Sequence, residues 1–230
     1  MNAKERAASA ALEHVKSGTV IGLGTGSTAD CFIRALGAAL KAGTLHDVKG
    51  VPTSIASDKL ARDLGIEIVS LADYPDLDVA VDGTDEIDAN LVMIKGLGGA
   101  LLREKIVAQA AKRMIVIADE SKVVQVLGVK TPLPVEVAAF SHDIHIPQFR
   151  TLGADPTLRR TKAGDIFTTD NGNHIYDCKV PRVTDPRGLE QAIRRYAGVI
   201  DTGLFIDIAT LAIIGTETGV RTLERSVVHR

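Results

Sequence analysis

The chain has 230 residues, of which 45% are hydrophobic, with a formal net charge of −2. That length suits one large domain or two unequal ones, and its interspersed acids and bases form neither the basic face nor the basic run that a nucleic-acid partner requires. Aromatics are only 3% and Trp is absent, so Ala, Val, Ile and Leu must build the core, which favours layered helix and sheet and argues against stacking on bases.

From the start, Met1-Asn2-Ala3-Lys4-Glu5-Arg6 leads into alternating Ala and polar residues and lacks the apolar centre of a signal peptide. No apolar run approaches the roughly 20 residues that span a membrane. Cys31 and Cys178 form neither a disulfide framework nor a metal-ligand spacing. A cytoplasmic chain with reduced, structural cysteines is expected.

Ala7 to Val15 has helical spacing, Thr19–Leu23 reads as a buried strand, and Thr28 to Leu40 is helical with Phe32, Ile33, Leu36 and Leu40 on one side. A strand at Val48–Val51, a helix over Ser57–Leu64 closed by Gly65, and strands at Ile66–Val69 and Leu77–Val81 follow. Leu91–Ile94, a glycine cluster, a helix from Ala100 to Ala111 and a strand at Met114–Ala118 complete the first half. Short β-branched runs separated by helices imply parallel strands with right-handed crossovers. The expected fold is α/β: a doubly wound, mostly parallel, Rossmann-like sheet with a second, smaller α+β domain.

The texture changes near Val129, where Pro132, Pro134 and Pro147 punctuate the chain. Asp165–Thr169 and Ile175–Val180 flank Asp170-Asn171-Gly172-Asn173, an Asn-Gly hairpin signal. A helix is expected over Arg187–Tyr196, and Leu204–Thr210 reads as a strand that Ala212–Gly215 extends. The expected division is a catalytic domain over 1–128 plus 205–230 and a small domain over 129–204. The run Arg159-Arg160-Thr161-Lys162 reads as a solvated loop or strand end.

Three segments have the residues of a site. Gly22-Leu23-Gly24-Thr25-Gly26-Ser27-Thr28 joins a strand to a helix. Its glycines permit close backbone approach, and the helix start offers free N–H groups and the positive dipole end to a phosphate or carboxylate. The plainer reading is a capping turn with no ligand. Its spacing lacks the third glycine of a dinucleotide fingerprint, the next strand ends Val51-Pro52-Thr53-Ser54 without an acid for a ribose diol, and no Gly-Lys-Ser/Thr ending marks a Walker loop.

Asp82-Gly83-Thr84-Asp85-Glu86-Ile87-Asp88 carries four carboxylates directly after a strand, where open α/β sheets bind ligands. Their mutual repulsion argues against a purely structural turn. Sugar hydroxyls, proton shuttling or a metal all suit such a cluster, although no histidine supports a metal. The competing reading is an acidic turn capped by its own backbone. Lys95-Gly96-Leu97-Gly98-Gly99-Ala100 again follows a strand and opens a helix bearing Arg103-Glu104-Lys105, which alone reads as an ordinary charged face. Together the three strand ends supply an anion cradle, carboxylates, a lysine and a glutamate. Those are the parts for proton abstraction beside a carbonyl, and aldose–ketose isomerisation without a cofactor uses every one.

At Gly24-Thr25-Gly26-Ser27-Thr28, Asp82-Gly83-Thr84-Asp85-Glu86 and Lys95-Gly96 through Arg103-Glu104-Lys105, the sequence resembles the ribose-5-phosphate isomerases of the A type. Ala118-Asp119-Glu120-Ser121-Lys122 and Leu133-Pro134-Val135-Glu136-Val137 extend the resemblance over nearly the whole chain. It implies interconversion of ribose 5-phosphate and ribulose 5-phosphate through a cis-enediolate in the non-oxidative pentose phosphate pathway. It also implies no cofactor, no metal and no partner beyond a small sugar phosphate and further copies of the chain, as a homodimer or dimer of dimers with the small domain at the interface. On the same basis Glu104 is the base moving a proton between C1 and C2. Asp82 and Asp85 contact the sugar, with Asp82 in ring opening, and Lys95 lies near the substrate oxygens and phosphate. The substrate loop is Thr25 to Thr28, with Ser27 and Thr28 near the phosphate, and Gly83, Thr84, Gly96, Leu97 and Gly98 complete the contacts. Lys122 is a further substrate-contacting lysine and Lys4 a phosphate-binding one.

The chain departs from the family pattern at Thr84 (often Ala), Leu97 (Gly), Gly99 (Ala) and Leu102 (Thr). A backbone N–H contact at Leu97 therefore needs a conformation open to a residue with Cβ. Two other readings stand beside the isomerase: an amino-sugar-phosphate deaminase on a related fold, which needs a catalytic histidine, and a non-catalytic sugar-phosphate-sensing module. None of His14, His46, His142, His145, His174 and His229 falls in the three segments.

Overall fold

The computed structural model describes residues 1–224; the last six residues of the expected 205–230 segment lie outside them. In chain order the elements are α1 (Ala3–Leu12), β1 (Val20–Leu23), α2 (Ser27–Lys41), β2 (Lys49–Pro52), α3 (Ile55–Asp63), β3 (Glu67–Ile68), β4 (Val79–Asp82), β5 (Glu86–Ile87), β6 (Met93–Ile94), α4 (Leu101–Gln109) and β7 (Met114–Asp119). They continue with β8 (Leu133–Val137), α5 (His145–Thr151), β9 (Asp155–Leu158), β10 (His174–Lys179), α6 (Pro186–Arg194), β11 (Val199–Thr202), β12 (Leu204–Phe205), β13 (Ala209–Gly215) and β14 (Val220–Glu224).

The main sheet has seven strands in the order β14-β13-β7-β4-β1-β2-β3, parallel throughout except for the antiparallel β13–β14 pair. Its central strands β1, β4, β7 and β13 are largely buried and apolar because both faces are covered, whereas the edge strands β14 and β3 carry exposed polar residues. On β7, Ile115 and Ile117 join Ile21, Phe32 and Ile33 under α1 and α2, whereas Met114, Val116 and Ala118 join Phe205, Ala212 and Ile214 on the other face. Successive strands run outward in both directions from β1, so the carboxyl ends of β1 and β4 flank the topological switch of an open α/β sheet. At Gly22 a Cβ would lie 2.6 Å from Val107 Cγ1, so the missing side chain lets α4 lie close over β1.

A second, antiparallel sheet has the order β11-β8-β10-β9, and β12-β6-β5 form a third. The fold is the expected α/β arrangement, with four local differences. Leu91–Ile94 is not a strand of the parallel sheet. Asp88 Oδ1 accepts from Asn90 N and Val92 N at 2.9 Å each, and Leu91 takes φ 61°, so only Met93–Ile94 extends, pairing antiparallel with β5 and β12. Lys95 therefore leaves this small sheet and not a neighbour of β4. The Leu204–Thr210 run breaks at Asp207 (φ 59°) into β12 and β13.

The Asn-Gly turn forms, but Asp165–Thr169 is no strand, and β10 pairs instead with β8 and β9. Thr169 Oγ1, Asn171 Nδ2 and Asn173 Nδ2 all donate to buried Glu136 Oε1, at 3.0, 3.3 and 2.8 Å. That inward polar anchor replaces a ladder. Finally, α5, β9, β11 and β14 carry no periodic signal strong enough to anticipate.

Buried Lys105 on α4 joins the two larger sheets. Its Nζ donates to Asp201 Oδ1 at 2.7 Å and to Thr202 O at 2.8 Å, with Glu190 Oε1 at 3.3 Å. Lys105→Met strands the Asp201 carboxylate and is expected to lower the free energy of unfolding by about 3–5 kcal/mol in a denaturant titration. Unchanged stability would show that this junction does not hold α4.

Candidate active site

The anion cradle forms first. Gly24 N–H donates to Val81 O at 3.0 Å, extending the β1–β4 ladder by one bond. Gly26, at φ 106°, then turns the chain into α2 with no side-chain cap. The first amides of α2 have no partners in their own helix and sit at its positive end. Lys4 on α1 donates from Nζ to Ser27 Oγ at 2.8 Å. Lys122, on the single helical turn Glu120–Lys122 after β7, lines the same cleft. Two ammonium groups and a helix N-terminus thus surround one space.

Thr25 is held from two sides. Its N–H donates to Asp82 Oδ1 at 3.0 Å, and its hydroxyl lies 2.7 Å from Thr53 Oγ1 and 2.8 Å from Ser54 Oγ, at the start of α3. Thr53 and Ser54, at a strand end whose local sequence shows only that it lacks an acid, therefore support the site.

The three buried ionisable candidates meet at the carboxyl end of β4. Lys95 Nζ lies 3.1 Å from Asp82 Oδ2 and 3.1 Å from Glu104 Oε1, and donates to Gly83 O at 2.5 Å. All three ionisable side chains are at most 5% exposed. Asp82 Oδ1 is held by Thr25 N–H and by Gly83 N–H at 2.6 Å. Neither Asp82 Oδ2 nor Glu104 Oε2 has a hydrogen-bond partner among the described residues; Asp82 Oδ2 has the lysine at ion-pair distance without the alignment of a bond.

One ammonium between two buried carboxylates leaves excess negative charge. Burial pushes the Glu104 carboxyl up to about 8, against the pull of Lys95 and with repulsion from Asp82 and Asp85. Burial alone would lower Lys95, but the combined attraction of Asp82, Glu104 and Asp85 outweighs it and holds the ammonium above its ordinary value.

The acidic loop divides by role. Asp85 Oδ2 accepts from Leu97 N–H at 2.9 Å, tying the two loops together beside the cleft. Glu86 is buried structure: its carboxylate accepts from Gly128 N, Lys130 N and Thr131 N at 2.7, 2.7 and 2.6 Å. Asp88 caps the turn before β6. The Thr84 hydroxyl is satisfied by Glu86 O at 2.7 Å. All four carboxylates accept backbone amides, and two of them, Glu86 and Asp88, line no part of the cleft, so crowding of acids did not by itself mark function.

Every residue singled out as a site candidate lines one cleft except Asp82, which lies beneath it, and Leu97, whose side chain is exposed. The cleft is a small one, with a volume of about 100 Å³. At Leu97 the backbone needs no left-handed conformation, since the positive φ angles fall on Gly96 (110°) and Gly99 (83°). The departure at Leu97 therefore leaves its N–H contact intact. Gly99 cannot be the alanine common in the family pattern without overlap, because the Phe167 ring occupies the space of a Cβ.

Buried Glu104 and Lys105 are no ordinary charged face. Neither is Arg103, which donates to Asn171 Oδ1 and Asp170 O at 2.8 Å each, while Asp170 Oδ2 accepts from Ile55 N–H at 2.7 Å. The 169–173 turn thereby spans α3 and α4 over the site, and nothing in the hairpin signal pointed to this role.

The pattern of ribose 5-phosphate isomerase A (phosphoriboisomerase A) matches residues 49–219. Curated ribose-5-phosphate isomerases A from Roseiflexus castenholzii and Parvibaculum lavamentivorans are 49% and 50% identical to this chain over 96% of its length, and over 94% and 97% of their own. A solved D-ribose-5-phosphate isomerase in complex with phospho-erythronic acid superposes with a TM-score of 0.95 at 44% identity, covering 98% of this chain and 100% of its own. The ribose 5-phosphate isomerase A of Methanocaldococcus jannaschii gives 0.91 at 40% identity, covering 96% of this chain and 97% of its own. The chain belongs to the ribose 5-phosphate isomerase A family.

Gly24→Ala tests how the site is packed. A Cβ at Gly24 overlaps the Asp82 carboxylate and main chain, so the variant is expected to lose about 1–3 kcal/mol of stability by overpacking. Stability and activity equal to the wild type would mean that Asp82 is not held against this loop.

Proposed function

We propose that Glu104 is the proton-transferring base of this isomerase, with Lys95 and Asp85 steadying the reacting oxygens, Asp82 serving ring opening, and Lys4, Lys122 and the amides of Ser27 and Thr28 holding the phosphate. The chain is an aldose–ketose isomerase acting on ribose 5-phosphate and ribulose 5-phosphate. The observation that carries the assignment is Glu104 itself. It is a buried carboxyl on the cleft wall, with one oxygen on Lys95 and the other without a hydrogen bond among the described residues.

In the aldose-to-ketose direction the ionised carboxylate takes the proton from C2 of the open-chain sugar. The C1 carbonyl oxygen gains the negative charge of a cis-enediolate, which the Lys95 ammonium offsets. The proton on O2 passes to O1, and the Glu104 carboxyl delivers its own proton to C1, leaving a ketone at C2. One group serves both carbons, because C1 and C2 are adjacent and the proton crosses a single face. Asp82 holds Lys95 from the far side and accepts or returns the ring hydroxyl proton when the sugar opens. A raised carboxyl suits this work, since a base with a value near the working pH both accepts and returns a proton efficiently.

The amino-sugar-phosphate deaminase reading loses its support, since no histidine among the described residues lines the cleft. A sensing module has no use for a buried, partly unpaired carboxyl. As further parts of the proposal, the chain acts in the cytoplasm as a homodimer or dimer of dimers, and the 129–204 segment is a small domain at that interface. Phe140 and Ile144 support this, being 88% and 52% exposed on that segment. No described helix is long and apolar enough to cross a membrane.

Glu104→Gln keeps the shape and removes the base. It is expected to fold and to lose on the order of 10²-fold or more in kcat, measured with ribose 5-phosphate by proton NMR in deuterated water. The wild type is expected to place deuterium in the product as the sugar isomerises, and the variant to do neither at a comparable rate. A variant with wild-type kcat would rule Glu104 out as the base.

A further inference from the structure

Arg159, just after β9, reaches across to the loop that carries Lys95. Its Nη1 donates to Gly96 O at 2.8 Å and to Leu97 O at 3.2 Å. Its Nε donates to Asp177 Oδ2 on β10 at 2.9 Å, and Nη2 donates to Asp177 Oδ1, so the fork is fixed from behind by a second carboxylate contact. The side chain is only 11% exposed. The guanidinium also lies 5.7 Å from the Phe167 ring centroid, and that ring fills the space over Gly99. Nothing in the proton-transfer scheme uses this group, yet it touches the backbone of the loop between Lys95 and α4.

The two peptide units it touches have opposite ends at the site. In a trans peptide the C=O and N–H point in opposite directions, and among the described residues no peptide bond is cis. In the Gly96–Leu97 unit the carbonyl meets Arg159 while the Leu97 N–H meets Asp85 Oδ2 at 2.9 Å. In the Leu97–Gly98 unit the carbonyl meets Arg159, while Gly98 lines the cleft and its N–H has no hydrogen bond among the described residues. A mostly covered cation at both carbonyls sets the planes of both units and polarises them toward the site.

We propose that Arg159 is a positioning residue for the isomerisation: through these two peptide units it aims Asp85 and the Gly98 N–H at the oxygens on C1 and C2. The inference rests on the isomerase reading of this cleft. Lysine cannot replace the fork, since a single ammonium does not hold Asp177 bidentately while serving both carbonyls.

The test compares two anions on Arg159→Gln by titration calorimetry. Phospho-erythronic acid carries a carboxylate at the reacting end as well as a phosphate, whereas inorganic phosphate probes only the Lys4, Lys122 and α2 end. If Arg159 aims the loop, affinity for phospho-erythronic acid falls by about tenfold or more, affinity for inorganic phosphate stays within about twofold, and kcat falls more than KM rises. If the two affinities fall together, or neither moves, Arg159 is a structural clamp only and the proposal is wrong. Should Arg159→Gln not fold, Arg159→Lys is read by the same ratio, with a preserved ratio again overturning it. Wild-type turnover of ribose 5-phosphate is measured alongside. Its absence would sink the isomerase reading, whereas an active wild type with an unchanged ratio in the variant sinks only the role of Arg159.

Discussion

A single buried ammonium shared by two buried carboxylates organises this molecule's candidate site. Lys95 stands 3.1 Å from both Asp82 and Glu104, and burying three ionisable groups is costly unless each is paired. The structure offsets much of that cost with backbone groups: Thr25 and Gly83 amides on Asp82, and the Gly83 carbonyl on Lys95. Glu104 is left with the least compensation. Its second oxygen has no hydrogen-bond partner among the described residues, so burial raises its carboxyl above the ordinary value, which supports the proton-exchanging role proposed for it.

The topology makes this meeting possible without any one element carrying all three groups. Asp82 closes β4 at the switch point of the parallel sheet, Lys95 leaves the short β12-β6-β5 sheet, and Glu104 lies one turn into α4. Each is locked by a different neighbour. Gly24 leaves room for the Asp82 carboxylate, Gly203 leaves room for the Lys95 main chain, and Lys105, the residue after Glu104, fixes α4 to β11. The four-stranded sheet reaches over the site through Arg159 and through the 169–173 turn, so the loop between Lys95 and α4 is held from both sides.

Much of this was legible in the chain, and the reasons for the rest are specific. Continuous apolar runs marked β1, β4 and β7 because parallel strands are buried on both faces. The strand–glycine–helix pattern marked the anion cradle because phosphate binding needs bare backbone at a helix start. Single residues with long-range partners were not legible. Glu86 looked like a fourth site carboxylate, yet it serves three amides more than forty positions away. Arg159 looked like part of a solvated basic run, yet Arg159 is held by Asp177 while Arg160 turns to Gly164 O. The Asn-Gly signal was right about a turn and wrong about its strand, because Glu136 gathers the turn's side chains inward. Local pattern reports periodicity and backbone needs; it does not report which distant acceptor a polar side chain will find.

The central claim is that burial beside Lys95 holds the Glu104 carboxyl above its ordinary value, which suits its proposed work of taking and returning a proton. Because its folded value lies above the ordinary 4.5, the folded state binds an extra proton between the two values, and this group's contribution to stability declines as pH rises through that window. The direct measurement is carbon-13 NMR of side-chain-carboxyl-labelled glutamate, as a difference between wild type and Glu104→Gln across that pH range. A carboxyl titrating near 8 is the expected result; one titrating at the ordinary glutamate value would contradict the account.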